Sequence, residues 1–570
     1  MPESSNQHYS PWNPGIEPEI PAQFQELETI YDPAHVFTSL DEINQLVSDT
    51  GLAALELISF RPHRLVLHEL IVRVTADIVV LEGEAEEDLG INFRAITQRI
   101  FEHYIQPSLE QIEHSYETLQ KSIQTITVGE LEAAMLKLSP VKPPPPTFWQ
   151  RLTGTRPKPQ AIAQTREERE FGLINEIKKR SLERSDETEA AVLHSLHKVL
   201  GAISRTRGFI GNDLDYLAPI CARHATSYLA GKHIGARVAE LVRTAIEQEG
   251  YALIPDAEKP VLISLKGASA SGKSSLRPMM RMMLAQLGIK DHGYGTISPD
   301  IWRKLLLDYE TLGESYKYAG RFTSHEISVI DSKLDRYIRA KAKKRHSIPH
   351  LVVDRFRFDS FASEKIARIL HKTYVHHIDT MYMYFIVTPP EATVERGWAR
   401  GQERGRFKAV EDYLGHCVEA YTGMPKLLFK WLANEKPRYF FEFLDNSVSK
   451  GTYPRLIARG TQRTLQIYQP ASFIDIERFR RINIQASSPE QVAAAAEELQ
   501  VAKNLGFLRQ CIKRIEHIDF IEPDTETCYL SIQAGKYQIT DEALFDQQSA
   551  DQTMRDILLA LAPDLLESRM

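Results

Sequence analysis

The sequence predicts an α/β protein. A parallel sheet with crossover helices is flanked by a large N-terminal helical region and a small C-terminal α+β segment. Three observations predict this. Between residues 251 and 450, short β-branched runs alternate with helical patterns, which is how a parallel sheet is written in sequence. Before residue 250, apolar residues recur at three- and four-residue steps. After residue 450, strand-like and helical stretches are mixed.

In the central region, strands are expected at 261–265, 295–298, 351–353, 382–387 and 439–444, with a helix over 275–287. Residues 1–35 are polar and Pro-rich and read as a flexible arm. A helical domain is expected over 36–138. Within it, 63–82 is apolar on most sides, and 93–118 carries Ile96, Ile100, Phe101, Tyr104 and Ile105 at helical steps. Four consecutive prolines, Pro143 to Pro146, favour a polyproline II spacer, so 139–165 reads as a linker. Helical periodicity returns over 166–250, with a break near Gly208 to Asn212. In the last segment, 451–570, a helix is expected at 489–504. Strands are expected at 528–533 and 536–540, joined through Ala534-Gly535.

Bulk properties narrow the function classes. At roughly 100 to 200 residues per domain, 570 residues leave room for several structural units. A net charge of −7 argues against a protein devoted to coating nucleic acid, although a local basic groove is compatible with it. The four cysteines are scattered, without a CxxC pair, which disfavours a zinc site or a disulfide scaffold and fits a reducing compartment. No stretch reaches the about 18 apolar residues that a membrane span needs, and the N-terminus lacks an apolar signal core, so a cytoplasmic location is expected.

The strongest local signal is Gly267-Ala268-Ser269-Ala270-Ser271-Gly272-Lys273-Ser274, followed by Ser275. It fits G-x-x-x-x-G-K-[ST] and falls between an expected strand and an expected helix. Glycines let backbone wrap a phosphate where a Cβ would collide. Successive N–H groups and the helix N-terminus then face the anion. Lys273 is expected on the β- and γ-phosphates of ATP, and the Ser274 hydroxyl on Mg²⁺. This makes the central region a P-loop kinase-type sheet.

Further positions are candidates. Asp300 lies just beyond the expected strand 295–298, where an α/β sheet places ligands, and is a candidate base for an acceptor hydroxyl. Arg303, three residues on, is a candidate for an anionic part of the acceptor. Asp354 ends an apolar strand and is a candidate for the Mg²⁺ shell; Asp300 and Asp354 both stay open as the base. Arg396, Arg400, Arg404 and Arg406 follow the strand 382–387. Arginines there would stabilise charge spread over a transferred phosphoryl group, and Arg396 and Arg406 are favoured. The run Arg339, Lys341, Lys343, Lys344 and Arg345 reads as a solvated helix end. Asp445-Asn446 follows the last expected strand, where the loop is a weaker candidate for adenine.

Together these residues resemble the zeta-toxin family of P-loop kinases over 255 to about 450. The resemblance rests on Gly267 to Ser274, Asp300-Ile301-Trp302-Arg303, Tyr309, Gly320-Arg321-Phe322, Glu326, Asp354, Arg396, Arg406 and Asp445-Asn446. It implies ATP-dependent phosphorylation of a UDP-N-acetyl sugar, with the Asp as base, arginines on the phosphates and Glu326 on the substrate side. The sequence departs from the family where Asp354-Arg355-Phe356 replaces an expected Glu-Gly-Thr. A kinase acting on a polynucleotide or protein, and an ATP-gated interaction protein, are the competing readings. The helical flanks, with no metal-ligand spacing among His63, His68, Glu69, Glu82, Glu86 and His103, are read as packing, oligomerising or access-controlling elements. An inhibitory partner would bind there.

Overall fold

The structure, a computed structural model, describes residues 9–138, 165–355, 376–449 and 451–567. The linker expected at 139–165 falls outside them, apart from Thr165, as does Phe356. The chain folds into two compact units. One comprises Met1–Phe24, Val72–Thr97 and Glu249–Met570, and the other Gln25–Ile71 and Gln98–Gln248.

The first unit is built on one sheet. Its strands are β1 (Val261–Gly267), β2 (Tyr294–Ile297), β3 (His350–Asp354), β4 (Thr380–Val387), β5 (Arg438–Asp445), β6 (Arg455–Thr461), β7 (Thr464–Ile467), β8 (His517–Glu522), β9 (Thr527–Gln533) and β10 (Lys536–Ile539). They lie in the order β10-β9-β8-β7-β6-β5-β4-β1-β3-β2. The first five strands in the chain pair in parallel, β2 with β3, β3 with β1, β1 with β4 and β4 with β5. Their sequences are nearly continuous apolar runs because crossover helices cover them. The helices used below are α1 (Arg277–Gln286), α2 (Ser324–Arg345), α3 (Pro390–Arg404) and α4 (Val410–Leu432). Ile263 and Leu265 of β1, Val352 of β3 and Ile386 of β4 share one buried cluster with Leu276, Met280 and Leu284. That packing fixes α1 against the sheet immediately after the glycine-rich loop.

The topology places the site. After β1 the chain builds β2 and β3 on one side, then crosses to β4 on the other. The crevice beyond the carboxyl end of β1 is therefore a topological switch point, where such sheets bind ligands.

Four expectations need correction. The segment after residue 450 is part of the same sheet: β6 pairs antiparallel with β5, and β7 to β10 continue outward. Alternating apolar residues specify a strand but not which open edge it will cover. The helix expected at 489–504 is replaced by short 3₁₀ turns at Pro489–Gln491 and Val501–Lys503. Of 489–504 only Val492, Val501 and Asn504 are buried, so the alanine-rich run has no apolar face to hold a helix. The helical stretch read over 93–118 is interrupted by a π-helical turn at Phe101–Ile105 and a 3₁₀ turn at Gln106–Ser108, where Pro107 lacks a donor. Residues 9–24, expected in a flexible arm, are pinned. Lys317 Nζ donates to the Pro14 carbonyl at 2.8 Å, and the Glu17 N–H to Tyr318 Oη at 3.1 Å.

The hairpin through Ala534-Gly535 is present, with φ of 49° and 79° at those two positions, as a tight turn between β9 and β10 requires.

The second unit is helical. Its long elements are Leu40–Thr50, Leu109–Leu138, Arg166–Glu183, Glu187–Arg207 and Leu214–Glu249. Ile112, Tyr116, Leu119, Ile123, Leu131 and Ala134 form the buried stripe of Leu109–Leu138. Thr165 and Glu168 make a reciprocal cap at the start of Arg166–Glu183. Glu187–Arg207 ends at Gly208 with φ of 80°, which accounts for the break seen in the sequence. Arg180 grips Glu130 with both guanidinium nitrogens, at 2.8 and 2.6 Å.

Candidate active site

The glycine-rich loop leaves β1 and enters α1 through the 3₁₀ turn Ser274–Leu276. Gly272 has φ of +91°, and a Cβ there would run into Asn446 Nδ2. A Cβ on Gly267 would meet Ser271 Oγ. Both glycines are therefore required by the path of the loop, not only permitted by it. The loop is tied from outside by two side chains that hold the Ser271 carbonyl: Asn446 Nδ2 at 2.7 Å and Thr388 Oγ1 at 3.1 Å. Thr388 directly follows β4 and Asn446 directly follows β5, so the sheet order itself brings them there.

Lys273 Nζ donates to the carbonyls of Gly267 (3.1 Å) and Ala268 (2.9 Å), which keeps the amine curled inside the loop. Burial lowers its pKa, and the carboxylates of Asp354 and Asp300 offset part of that shift. Ser274 Oγ donates to Asp354 Oδ2 at 3.2 Å. These two residues lie 80 positions apart and meet because β3 is the parallel neighbour of β1. Ser271 Oγ is buried without a hydrogen-bond partner among the described residues.

Asp300 stands in the 3₁₀ turn Pro299–Trp302 beyond β2. Arg303 Nε donates to its Oδ1 at 2.9 Å and Arg406 NH2 to its Oδ2 at 2.7 Å. Burial pushes the carboxyl's pKa up, but Arg406 and Arg303 pull harder and hold it well below the usual carboxylate range. The side chain is still 42% exposed, so solvent screens these pairs and their worth to stability is small. Arg303 is itself fixed by Thr323 Oγ1 at 2.7 Å and by the Gly320 carbonyl.

The arginine segment divides its work. Arg396 NH2 donates to the Val448 carbonyl at 2.7 Å, and its NH1 is 3.9 Å from the position of a Cβ on Gly272, so it lies on the loop side. Arg406 lies on the Asp300 side. Arg400, a weaker expectation, lies in the field of Arg406 and Asp300. Burial lowers its pKa first, then the Arg406 charge, while Asp300 opposes both. Its Nε has no hydrogen-bond partner among the described residues. Arg404 is bound in ion pairs to Glu86 and Glu87, at 3.1 and 2.7 Å.

Glu326, expected on the substrate side, is 0% exposed. One sequence expectation does not fit. The basic run at the end of α2 is not wholly solvated: Lys341 Nζ donates to Asp77 Oδ1 at 2.7 Å, with both side chains largely buried. Arg355, in the departing Asp354-Arg355-Phe356 stretch, is ion-paired with Asp331 at 3.0 Å and Asp335 at 2.8 Å.

Other residues carried no signal of their own. Lys408 Nζ lies 3.2 Å from His416 Nδ1. His416 is pushed down to about 2 by burial, then by Lys408 and Lys273, so it stays neutral. Lys266 on β1 is pushed down to about 7 by burial and by Arg355. None of the three was recognisable in the sequence, because isolated Lys and His residues have ordinary surface roles.

Among the described residues no group of three or more His, Cys, Asp and Glu side chains is placed to hold a metal ion, and no helix is long and apolar enough to cross a membrane. No family model matches the chain, and no curated protein matches it. A solved structure from the PezAT chromosomal toxin–antitoxin system of Streptococcus pneumoniae aligns with 58% of this chain and 93% of that chain, at 12% identity and a TM-score of 0.19. Similarity at that level carries no argument about function, which rests on the chain's own residues.

Proposed function

We propose that the chain is an ATP- and Mg²⁺-dependent phosphotransferase that phosphorylates a hydroxyl of a small metabolite. A UDP-N-acetyl sugar is the acceptor that the resemblance indicates. One observation carries the reading. Lys273, at the end of the glycine loop, is in the electrostatic reach of both Asp354 and Asp300, so the phosphate cradle and the candidate base belong to one site.

The residues fit the two absent groups. The loop is shaped by glycines whose Cβ atoms would collide, and its lysine donates to two loop carbonyls, which phosphate oxygens would replace. Ser274 and Asp354 supply a hydroxyl and a carboxylate, the sparse donor set that suits an ion completing its shell with phosphates and water. Mg²⁺ bound there would neutralise charge on the β- and γ-oxygens.

In the reaction, the acceptor O–H attacks the γ-phosphorus of ATP. A P–O bond forms to the acceptor, the bond to the β-phosphate oxygen breaks, and ADP leaves with that electron pair. The proton passes to Asp300. A carboxylate held well below its usual pKa is a weak base. In a loose phosphoryl transition state, however, proton transfer comes late and alignment of the hydroxyl matters more than basicity. Two arginines fix that alignment, and Arg400 and Arg406 stabilise charge as the phosphoryl group moves.

The test is transfer from γ-labelled ATP with Mg²⁺ to UDP-N-acetylglucosamine and to a small-metabolite extract, with Lys273→Ala as control. Label in a small-molecule product only with the unsubstituted protein supports the proposal. ATP bound but no label moved into either pool overturns it.

A further inference from the structure

A buried hydroxyl stands unused within the electrostatic reach of Asp300. Tyr309 is 8% exposed, and its Oη has no hydrogen-bond partner among the described residues. Burial raises its pKa, and the charges that face it are Arg303, Arg406 and Asp300, with Tyr316 beside them. Those are the same three groups that form the candidate base and its clamps. Trp302 Nε1 is also unpartnered, but Trp302 is 0% exposed and packs in the core. Tyr309 differs in lying within the field of the site.

A buried hydroxyl left without a partner costs free energy, and native proteins rarely tolerate it without a use. Its surroundings are ordered. Tyr309 meets Tyr316 edge-on at 6.3 Å, Tyr316 meets Phe407 at 6.3 Å, and Phe407 meets Trp398 at 5.3 Å. The ladder carries Phe407 and so steadies the adjoining Arg406. Gly405, with φ of +70°, turns the chain there, and a Cβ at this position would strike Tyr316 Oη. Tyr309 is thus held rigidly among groups that themselves grip Asp300.

We propose that the Tyr309 hydroxyl donates a hydrogen bond to the acceptor oxygen whose own proton is directed at Asp300, making Tyr309 a positioning residue that selects an alcohol acceptor. This rests on the phosphotransferase reading and extends it. An oxygen bearing one proton satisfies both partners: it donates to the Asp300 carboxylate and accepts from Tyr309. A carboxylate or phosphate oxygen has no proton for Asp300 and meets its negative charge. A protonated amine has no lone pair to accept from Tyr309. Water has the same donor and acceptor properties as an alcohol and is held in the same way, though less firmly for want of further contacts.

The experiment compares the full chain with Tyr309→Phe in three measurements: label transfer from γ-labelled ATP to UDP-N-acetylglucosamine and to a small-metabolite extract, hydrolysis of ATP with water as acceptor, and ATP binding. The thermal midpoint is recorded alongside. Because the phenol oxygen has no hydrogen-bond partner to lose among the described residues, Tyr309→Phe is expected to keep or raise the midpoint and to leave ATP binding unchanged. Transfer, and hydrolysis with it, falls about tenfold, the worth of one well-placed hydrogen bond. Unchanged transfer and hydrolysis in Tyr309→Phe overturn the role of Tyr309 and leave the phosphotransferase reading standing. A midpoint and ATP binding that fall together assign Tyr309 to the core and overturn it as well. If the unsubstituted protein binds ATP but neither transfers nor hydrolyses it, the phosphotransferase reading fails, and this inference with it.

Discussion

The two sides of the candidate site are built differently. The loop side is contiguous: Gly267 to Ser274 supply eight neighbouring positions, and their shape is set by local φ values and by the strand and helix that flank them. The Asp300 side is assembled across the fold: Arg303 reaches Asp300 from three residues away and Arg406 from 106, with Tyr309 in the field of all three. A contiguous site fails abruptly when one of its members is changed. An assembled site has several weak supports, each removable at a smaller cost.

The largest expected effect is therefore on the loop side. Lys273→Ala is expected to reduce transfer by about a thousandfold or more, since it removes the charge that follows the phosphoryl group. Transfer within tenfold of the unsubstituted rate would break the comparison. Next comes Asp300→Asn. With ATP binding kept, turnover is expected to fall by about 10²- to 10⁴-fold in single-turnover assays. Preserved turnover would move the role of base to Asp354.

Gly272→Ala tests the shape of the loop. A non-glycine residue at φ of +91° that also meets Asn446 is expected to cost about 1 to 3 kcal/mol in chemical denaturation. A neutral result would show that the loop can rearrange at no cost. On the assembled side, Glu86→Gln loosens the ion pairs of Arg404. Burial works against the Glu86 carboxylate, but Arg404, and then Arg277 and Arg400, hold its pKa below the usual range. The expected cost is about 1 kcal/mol, read from the denaturation midpoint. This stability is present above the ordinary glutamate pKa and is lost as pH falls through the depressed one.

The smallest effect is a slope. Lys266, pushed down to about 7, is deprotonated in the fold at pH values where an unfolded lysine still holds its proton, up to about 10.4. The unfolded chain binds the extra proton in that window, so stability rises with pH from about 7 toward 10. Lys266→Met is expected to flatten the rise. An identical pH dependence in the two proteins would show that Lys266 keeps its charge in the fold.

Legibility followed the same division. The five parallel strands could be read because buried β-branched runs are continuous, and their expected positions fall within a few residues of β1 to β5. The glycine loop could be read because each of its residues answers to its neighbours. The arginine segment was half legible: four-residue spacing put Arg396, Arg400 and Arg404 on one helical face. It could not say that Arg404 turns to Glu86 and Glu87, that Arg396 turns to Val448, or that Arg400 Nε has no hydrogen-bond partner among the described residues. Glu326 entered the candidate site through the family resemblance, and a resemblance in sequence does not reveal that its side chain is buried.

The sequence by itself determined the local pieces: a strand–loop–helix cradle with obligatory glycines, apolar strands for a parallel sheet, helical flanks, and a tight turn at Ala534-Gly535. Sterics and hydrophobic period act over a few residues, so a few residues suffice to read them. Only the tertiary structure decided that β3 lies beside β1 and so brings Asp354 to Ser274, that the strands after residue 450 extend the same sheet, and that Tyr309 is buried in the field of Arg303, Arg406 and Asp300. Those outcomes depend on which edges pair and which faces pack, and that choice is made by the whole fold at once.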